Sequence, residues 1–179
     1  MSLQSNGLLN KDSGRALADA LKGNSILTEL DISNNHDEYN MNSQDGPGFA
    51  QELAVGIKDN GALSILNLAE NNLGELVIPA GWTEDYDEDE EVLYRHTDGT
   101  EQKGNPGKPE GIIAIANAIP DMGALTSLNL SSNDLRAEGA KIVAEAIEVT
   151  NFAFAVVLVL FSSPFDHWLN CCCLLLYTG

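Results

Sequence analysis

Basic residues are scarce in this chain. Nine lysines and arginines stand against 27 aspartates and glutamates in 179 residues, a net charge of −18. That balance argues against the basic footprint on which direct nucleic-acid binding depends; it favours a basic protein partner or, the simpler reading, merely keeps the chain in solution. Cysteine is confined to the consecutive Cys171-Cys172-Cys173. Sequence neighbours make neither an ordinary disulfide nor a spaced zinc site. The body therefore has no disulfide framework, and a reducing compartment, the cytoplasm, is expected. The start, Met1-Ser2-Leu3-Gln4-Ser5-Asn6, has no basic region and no apolar run, so no signal peptide is read there. Long apolar stretches are missing too: the run from Phe152 to Phe161 is ten residues, too short to span a bilayer. The hydrophobic share of 44% is still enough for a core.

The residues of catalysis and metal binding are equally sparse. His36, His96 and His167 lie in separate segments with no second histidine at ligand spacing. Asp85, Asp87 and Asp89 alternate like the start of a calcium loop, but Glu90 fills the glycine position and His96 the bidentate-glutamate position, which rejects an EF-hand. Gly104-Asn105-Pro106-Gly107-Lys108-Pro109 lacks the spelling of a phosphate-cradling loop, and no serine sits in a nucleophile elbow. A non-catalytic protein without cofactor or metal is expected.

What the chain does contain is a repeat. Leu125-Thr126-Ser127-Leu128-Asn129-Leu130-Ser131-Ser132-Asn133-Asp134-Leu135 spells L-x-x-L-x-L-x-x-N-x-L. Leu63, Leu66, Leu68, Asn71 and Leu73 fill the same positions, Leu27, Leu30, Ile32 and Asn35 the first four, and Leu3, Asn6 and Leu8 the last three. Leucines two apart point to one face of a strand, and the asparagine amide suits the turn where the chain leaves it. Each strand is preceded by a helical pattern: Leu17 and Leu21, Leu53 and Ile57, Ile115 and Ile119, then Val143 and Ile147. Leu21, Ile57 and Ile119 each precede the first strand leucine by six. The first helix is expected over Ser13–Lys22, capped by Asp12 or Ser13 and followed by Gly23, with Ala16 and Ala20 allowing close approach. Pro120 stops the third.

This pattern resembles the leucine-rich repeat, and a helix in every unit of 28 to 29 residues is similar to the ribonuclease-inhibitor-like subclass. The resemblance covers most of residues 1–150. It implies an α/β leucine-rich repeat solenoid of about four partial or full repeats, with short parallel strands on the concave side and helices on the convex side. The spacings agree: parallel strands stack at about 4.8 Å and helices at about 8–10 Å, which puts strands inside the curve. Because Leu3 occupies the sixth position of a unit, the chain begins mid-repeat, and a fragment of a longer array is expected.

Two units exceed the period. Ile32 to Leu68 spans 36 residues and Leu68 to Leu130 spans 62, which places insertions at about 36–47 and 75–109. The first is polar and turn-rich, with Asp37 in place of a leucine, and reads as a surface loop. The second carries the acidic run Glu84 to Glu91, read as solvated, and a hairpin signal at Asp98-Gly99. Pro79-Ala80-Gly81-Trp82 leading to Tyr94 and His96 resembles the first two strands of a WW domain. Gln102 or Lys103 stands where the second tryptophan would fall, which argues against proline-peptide binding. Trp82 and Tyr94 are expected to pack together or onto the repeats.

Residues 151–179 form an atypical apolar tail. Ala153, Val156 and Leu158 fit one more strand, and Phe161 then takes the asparagine position. Three readings stand side by side: a last strand with an odd tail, a membrane anchor through residues 152–177, and a translated non-coding extension. The last accounts best for a segment that abandons both the repeat and its polar helix face.

The expected function is a protein-interaction scaffold. Alternatives are a membrane-tethered repeat protein and, because a GTPase-activating family shares the repeat subclass, a small-GTPase regulator, although no catalytic arginine is recognisable. The outward strand positions are Glu29, Asp31 and Ser33; Ile65, Asn67 and Ala69; and Ser127, Asn129 and Ser131. Of these, Glu29, Asp31, Ser33, Asn67, Asn129 and Ser131, together with Trp82 and Tyr94 of the insertion, are the candidate partner-binding residues, and the partner is a protein, preferably basic.

Overall fold

The computed structural model describes residues 1–36 and 45–149, and the backbone of two strands beyond them. It is a mixed α/β arrangement with four α-helices and two small sheets among the described residues, and no closed barrel. The larger sheet takes β1 (Glu29–Asp31), β2 (Ile65–Asn67), β6 (Ser127–Asn129), β7 (Ala155–Leu160) and β8 (Cys172–Tyr177), in that order. The smaller sheet is an antiparallel meander of β3 (Trp82–Tyr86), β4 (Val92–His96) and β5 (Glu101–Gln102).

The leucine pattern sets the register of the larger sheet. Leu30 lies opposite Leu66, and Leu66 opposite Leu128, in parallel pairs. The chain start adds a further bridge, Ser2 to Asp31, at the free edge. At the other side β7 pairs parallel with β6 and sets Val156 opposite Leu128, which is the placement expected of a last strand. β8 returns antiparallel on β7. The rest of the tail lies outside the described residues. Among the described residues no helix is long and apolar enough to cross a membrane.

Helices α1 (Lys11–Leu21), α2 (Gly46–Ile57), α3 (Glu110–Ala118) and α4 (Arg136–Glu148) pack in sequence order, each on the next. A short 3-10 turn at Ile119–Asp121 carries Pro120 and ends α3. The core lies between helices and sheet. Leu53, Ile57, Ile115 and Ile119 from the helices meet Leu30, Ile32, Leu66, Leu68, Leu128 and Leu130, all fully buried, with Phe49 filling the space beside them. Each such side chain contributes about 2 kcal/mol relative to exposure. Exposed ion pairs such as Arg15–Glu52, 2.8 Å apart between α1 and α2, add little. The apolar register, not charge, seats the helices.

Several local expectations are corrected. The first helix starts at Lys11 and its cap is Asn10, whose Oδ1 accepts from the Ser13 N–H at 2.9 Å; neither Asp12 nor Ser13 caps it. Ala16 and Ala20 are exposed. The close approach runs through Gly14 and Ala18 on the adjacent face: a Cβ on Gly14 would stand 2.6 Å from the Phe49 carbonyl, and one on Gly56 would overlap Ala18. In the 36–47 insertion, residues 37–44, including Asp37, lie outside the described residues. Its end is no loop: Asp45 caps α2, accepting from the Gly48 N–H at 2.6 Å, and Gly46 and Pro47 are buried in the first turn.

Candidate interaction surface

A ladder of asparagines ties the units together and fixes the strand face. Asn35, Asn71 and Asn133 are all buried. Each turns its amide back to the carbonyl three residues earlier: Ile32 at 2.6 Å, Leu68 at 3.0 Å and Leu130 at 3.1 Å. Each also donates to the preceding unit, Asn35 to the Leu3 carbonyl at 3.2 Å, Asn71 to Ile32 at 2.9 Å and Asn133 to Leu68 at 2.7 Å. Their Oδ1 atoms accept from the asparagine N–H of the preceding unit: Asn6 to Asn35 at 2.8 Å, Asn35 to Asn71 at 2.9 Å, Asn71 to Asn133 at 2.9 Å. An asparagine amide supplies two N–H donors and an acceptor oxygen on one short side chain, where a hydroxyl supplies a single donor. The residues flanking the asparagine adopt left-handed backbone, at Ser5 and Gly7, Glu70 and Asn72, Ser132 and Asp134.

The sequence reading missed a second set of asparagines. Asn60 is buried at the helix-to-strand turn, where it donates to the carbonyls of Leu21 at 3.0 Å and Asn24 at 3.1 Å and accepts from the N–H groups of Ala62 and Leu63. Asn24 accepts likewise from Ile26 and Leu27. Both stand three residues before the first strand leucine, a spacing visible in the sequence; Met122 takes that place in the third unit.

With the strands so held, their outward residues form rows. Glu29, Ile65 and Ser127 are in register, as are Asp31, Asn67 and Asn129. The second row is partly self-satisfied: Asp31 accepts from the Ser33 N–H at 3.0 Å and hydroxyl at 2.7 Å, Asn67 from the Ala69 N–H at 3.2 Å, and Asn129 from the Ser131 N–H at 3.0 Å. Ser33 is buried, at 5% exposure, and does not present itself to a partner. Ser131 is half-buried, and Glu29 is exposed. Ile65, 39% exposed on β2 between β1 and β6, is the large apolar side chain of this face.

The other two candidates are in the meander, a separate sheet. Trp82 stands opposite His96, with ring centroids 5.1 Å apart. Tyr94 stands opposite Glu84 and donates its hydroxyl to Oε2 at 3.0 Å. Trp82 thus takes His96, not Tyr94, as its ring partner. Tyr94 is 6% exposed; burial and the Glu84 carboxylate both hold its hydroxyl pKa above the usual value. The excursion is pinched at its base by two backbone hydrogen bonds between Val77 and Lys108, at 2.9 and 3.2 Å.

The acidic run is not simply solvated. Its first residues form β3, and Arg95 pairs with Asp85 and, at 2.8 Å, with Glu101. Lys103 pairs with Asp87 at 3.1 Å and with Glu91. Asp87 titrates below the usual carboxylate range, first because the Glu91 N–H donates to it and second because of Lys103. Asp98, in the turn between β4 and β5, is lowered to about 2 by the Thr100 N–H and then by His96, whose Nδ1 is 2.8 Å from its Oδ1.

No protein-family profile matches this sequence, and no curated protein does. Among solved structures, the actin-binding site 2 of leiomodin-1 is similar: it superposes with a TM-score of 0.55 at 14% identity over 88% of this chain and 67% of that one. At that identity the likeness is one of fold alone. The rows on the larger sheet and the end of the meander are therefore read from this chain's own side chains.

Proposed function

We propose that this chain is a stretch of ribonuclease-inhibitor-like leucine-rich repeat solenoid that serves as a protein-interaction scaffold and has no catalysis of its own. The asparagine ladder carries the reading. It holds Glu29, Ile65 and Ser127 in one row and Asp31, Asn67 and Asn129 in another, on strands of only three residues each. A rigid display of that kind suits recognition of a folded surface. The face is acidic at the Glu29 and Asp31 end and apolar at Ile65, so a basic partner with an apolar contact fits it. That the similar structure is, by its name, an actin-binding site gives a precedent for protein binding by this fold and does not name the partner here.

The test compares proteins cross-linked to the full chain, to Ile65→Lys with Asn67→Arg on the strand face, and to Val55→Ser on the exposed side of α2. A partner retained by the wild type and Val55→Ser and lost from the strand-face variant supports the reading. An identical captured set from all three overturns it.

A further inference from the structure

The meander sorts its side chains between two faces. Directly opposed residues of antiparallel strands share a face, so Thr83–Arg95 and Asp85–Leu93 lie on one side, and Trp82–His96, Glu84–Tyr94 and Tyr86–Val92 on the other. Residues 75–109 hold ten acidic and three basic residues. Two of the three cations are consumed by internal pairs, Arg95 with Asp85 and Glu101, and Lys103 with Asp87 and Glu91. The third, Lys108, is at the pinched base. On the opposite face Trp82 is engaged by His96 and Tyr94 by Glu84.

What remains free is the far end. Tyr86 and Val92 form the last strand pair before the turn and are 59% and 38% exposed. Next to them the turn carries Glu88, Asp89 and Glu90, none of which has an ion-pair partner among the described residues. An exposed tyrosine is an anchor of the kind that dominates interface energetics, and the valine beside it widens the apolar contact. Three uncompensated carboxylates at its rim select the sign of what approaches.

We propose that the Tyr86–Val92 end of the meander is a docking surface for a basic segment of a partner protein, one that lays a large apolar side chain on Tyr86 and Val92 and meets Glu88, Asp89 and Glu90 with flanking lysines or arginines. The proposal rests on the reading of this chain as a protein-binding scaffold and places a second contact outside the strand face. The charge complementarity commits the occupant to a cationic peptide, and the apolar pair distinguishes that peptide from a merely basic one.

Fluorescence anisotropy tests it, with the full chain titrated into two labelled synthetic peptides: one of lysines and arginines with a single central leucine, and a control with serine at that place. At about 0.15 M salt, where surface charge is screened beyond about 8 Å, the leucine peptide binds about tenfold more tightly. Tyr86→Ser with Val92→Ser removes that preference, and both positions are exposed enough for the fold to stand. Glu88→Lys with Asp89→Lys and Glu90→Lys abolishes binding of both peptides. Equal affinity of the two peptides for the wild type, a preference that survives Tyr86→Ser with Val92→Ser, or unchanged binding to the lysine variant would each overturn the proposal. Ile65→Lys leaves peptide binding intact, so failure of the meander surface and failure of the strand-face reading are separately visible.

Discussion

The backbone N–H of Asn71 donates to Oδ1 of Asn133 at 2.9 Å, a bond that reaches across 62 residues of sequence. The same Asn71 offers its own Oδ1 to the N–H of Asn35, at 2.9 Å. Every unit is thereby addressed by its neighbour through one buried amide, and the meander lies outside that chain of contacts.

Replacement of Asn71 is accordingly expensive. Asn71→Ala leaves the Ile32 and Leu68 carbonyls with the amides of Asn35 and Asn133, but it orphans the buried Asn35 N–H. A buried unsatisfied donor costs about 1–3 kcal/mol, and the lost bonds add to it. Urea unfolding should show a loss of about 2–3 kcal/mol for Asn71→Ala. Asn6→Ala, on the exposed edge, should cost less than about 1 kcal/mol. Equal losses at the two positions would contradict the ladder.

Gly56 faces the backbone of Ala18, where any side chain would overlap α1. Forcing atoms into a packed contact costs about 1–3 kcal/mol, so Gly56→Ala should lower stability by that amount and loosen α1 first, as hydrogen exchange would report. Gly61, where an added Cβ would meet nothing within 4 Å, should accept alanine without loss.

Glu70 holds a left-handed backbone, φ +58°, while its N–H donates to the Ser131 carbonyl at 2.9 Å. A non-glycine residue in that region carries about 1–2 kcal/mol of strain, and asparagine tolerates it better. Glu70→Asn should raise the thermal midpoint, because Glu70 is exposed and the amide relieves the backbone strain. A fall in the midpoint would mean that the glutamate side chain stabilises the turn.

Asp98 gives a pH dependence whose sign is fixed. Its folded pKa, about 2, lies below the unfolded value near 3.9, so the carboxylate stabilises the meander fully above about pH 4. That contribution is lost as pH falls through about 2. The Asp98 carboxyl resonance should titrate with a midpoint near 2. Because the Thr100 N–H is the larger cause, His96→Asn should raise the midpoint only part of the way to the ordinary value. Complete restoration would reverse the order of the two causes.

Much of the larger sheet was legible because its information is local. Leu128 and Leu130 declare a strand face on their own, and the repetition at Leu66 and Leu30 declares the register. The helix caps were less so: Asn10, not Asp12, ends up where the chain leaves Leu9, a matter of path more than of residue type. Ser33 looked presentable until Asp31, two residues away, drew in its hydroxyl. The acidic run was misread because its partners, Arg95 and Lys103, approach only after β4 and β5 have folded back. Strand pairing also decided between aromatics: a shift of two positions sets Trp82 opposite His96 and leaves Tyr86, which no sequence pattern marks, as the exposed one.

The bridge between Val77 and Lys108 has a consequence for how such a chain can change. Entry and exit of the excursion are fastened side by side by two backbone bonds, with Gly107 packed so closely that a Cβ there would stand 2.9 Å from Leu76 Cβ and 3.1 Å from the Val77 carbonyl carbon. Such a closure would act as a socket: apart from the residues at the bridge itself, the length and chemistry of the inserted piece would be free to change while the period on either side keeps its count.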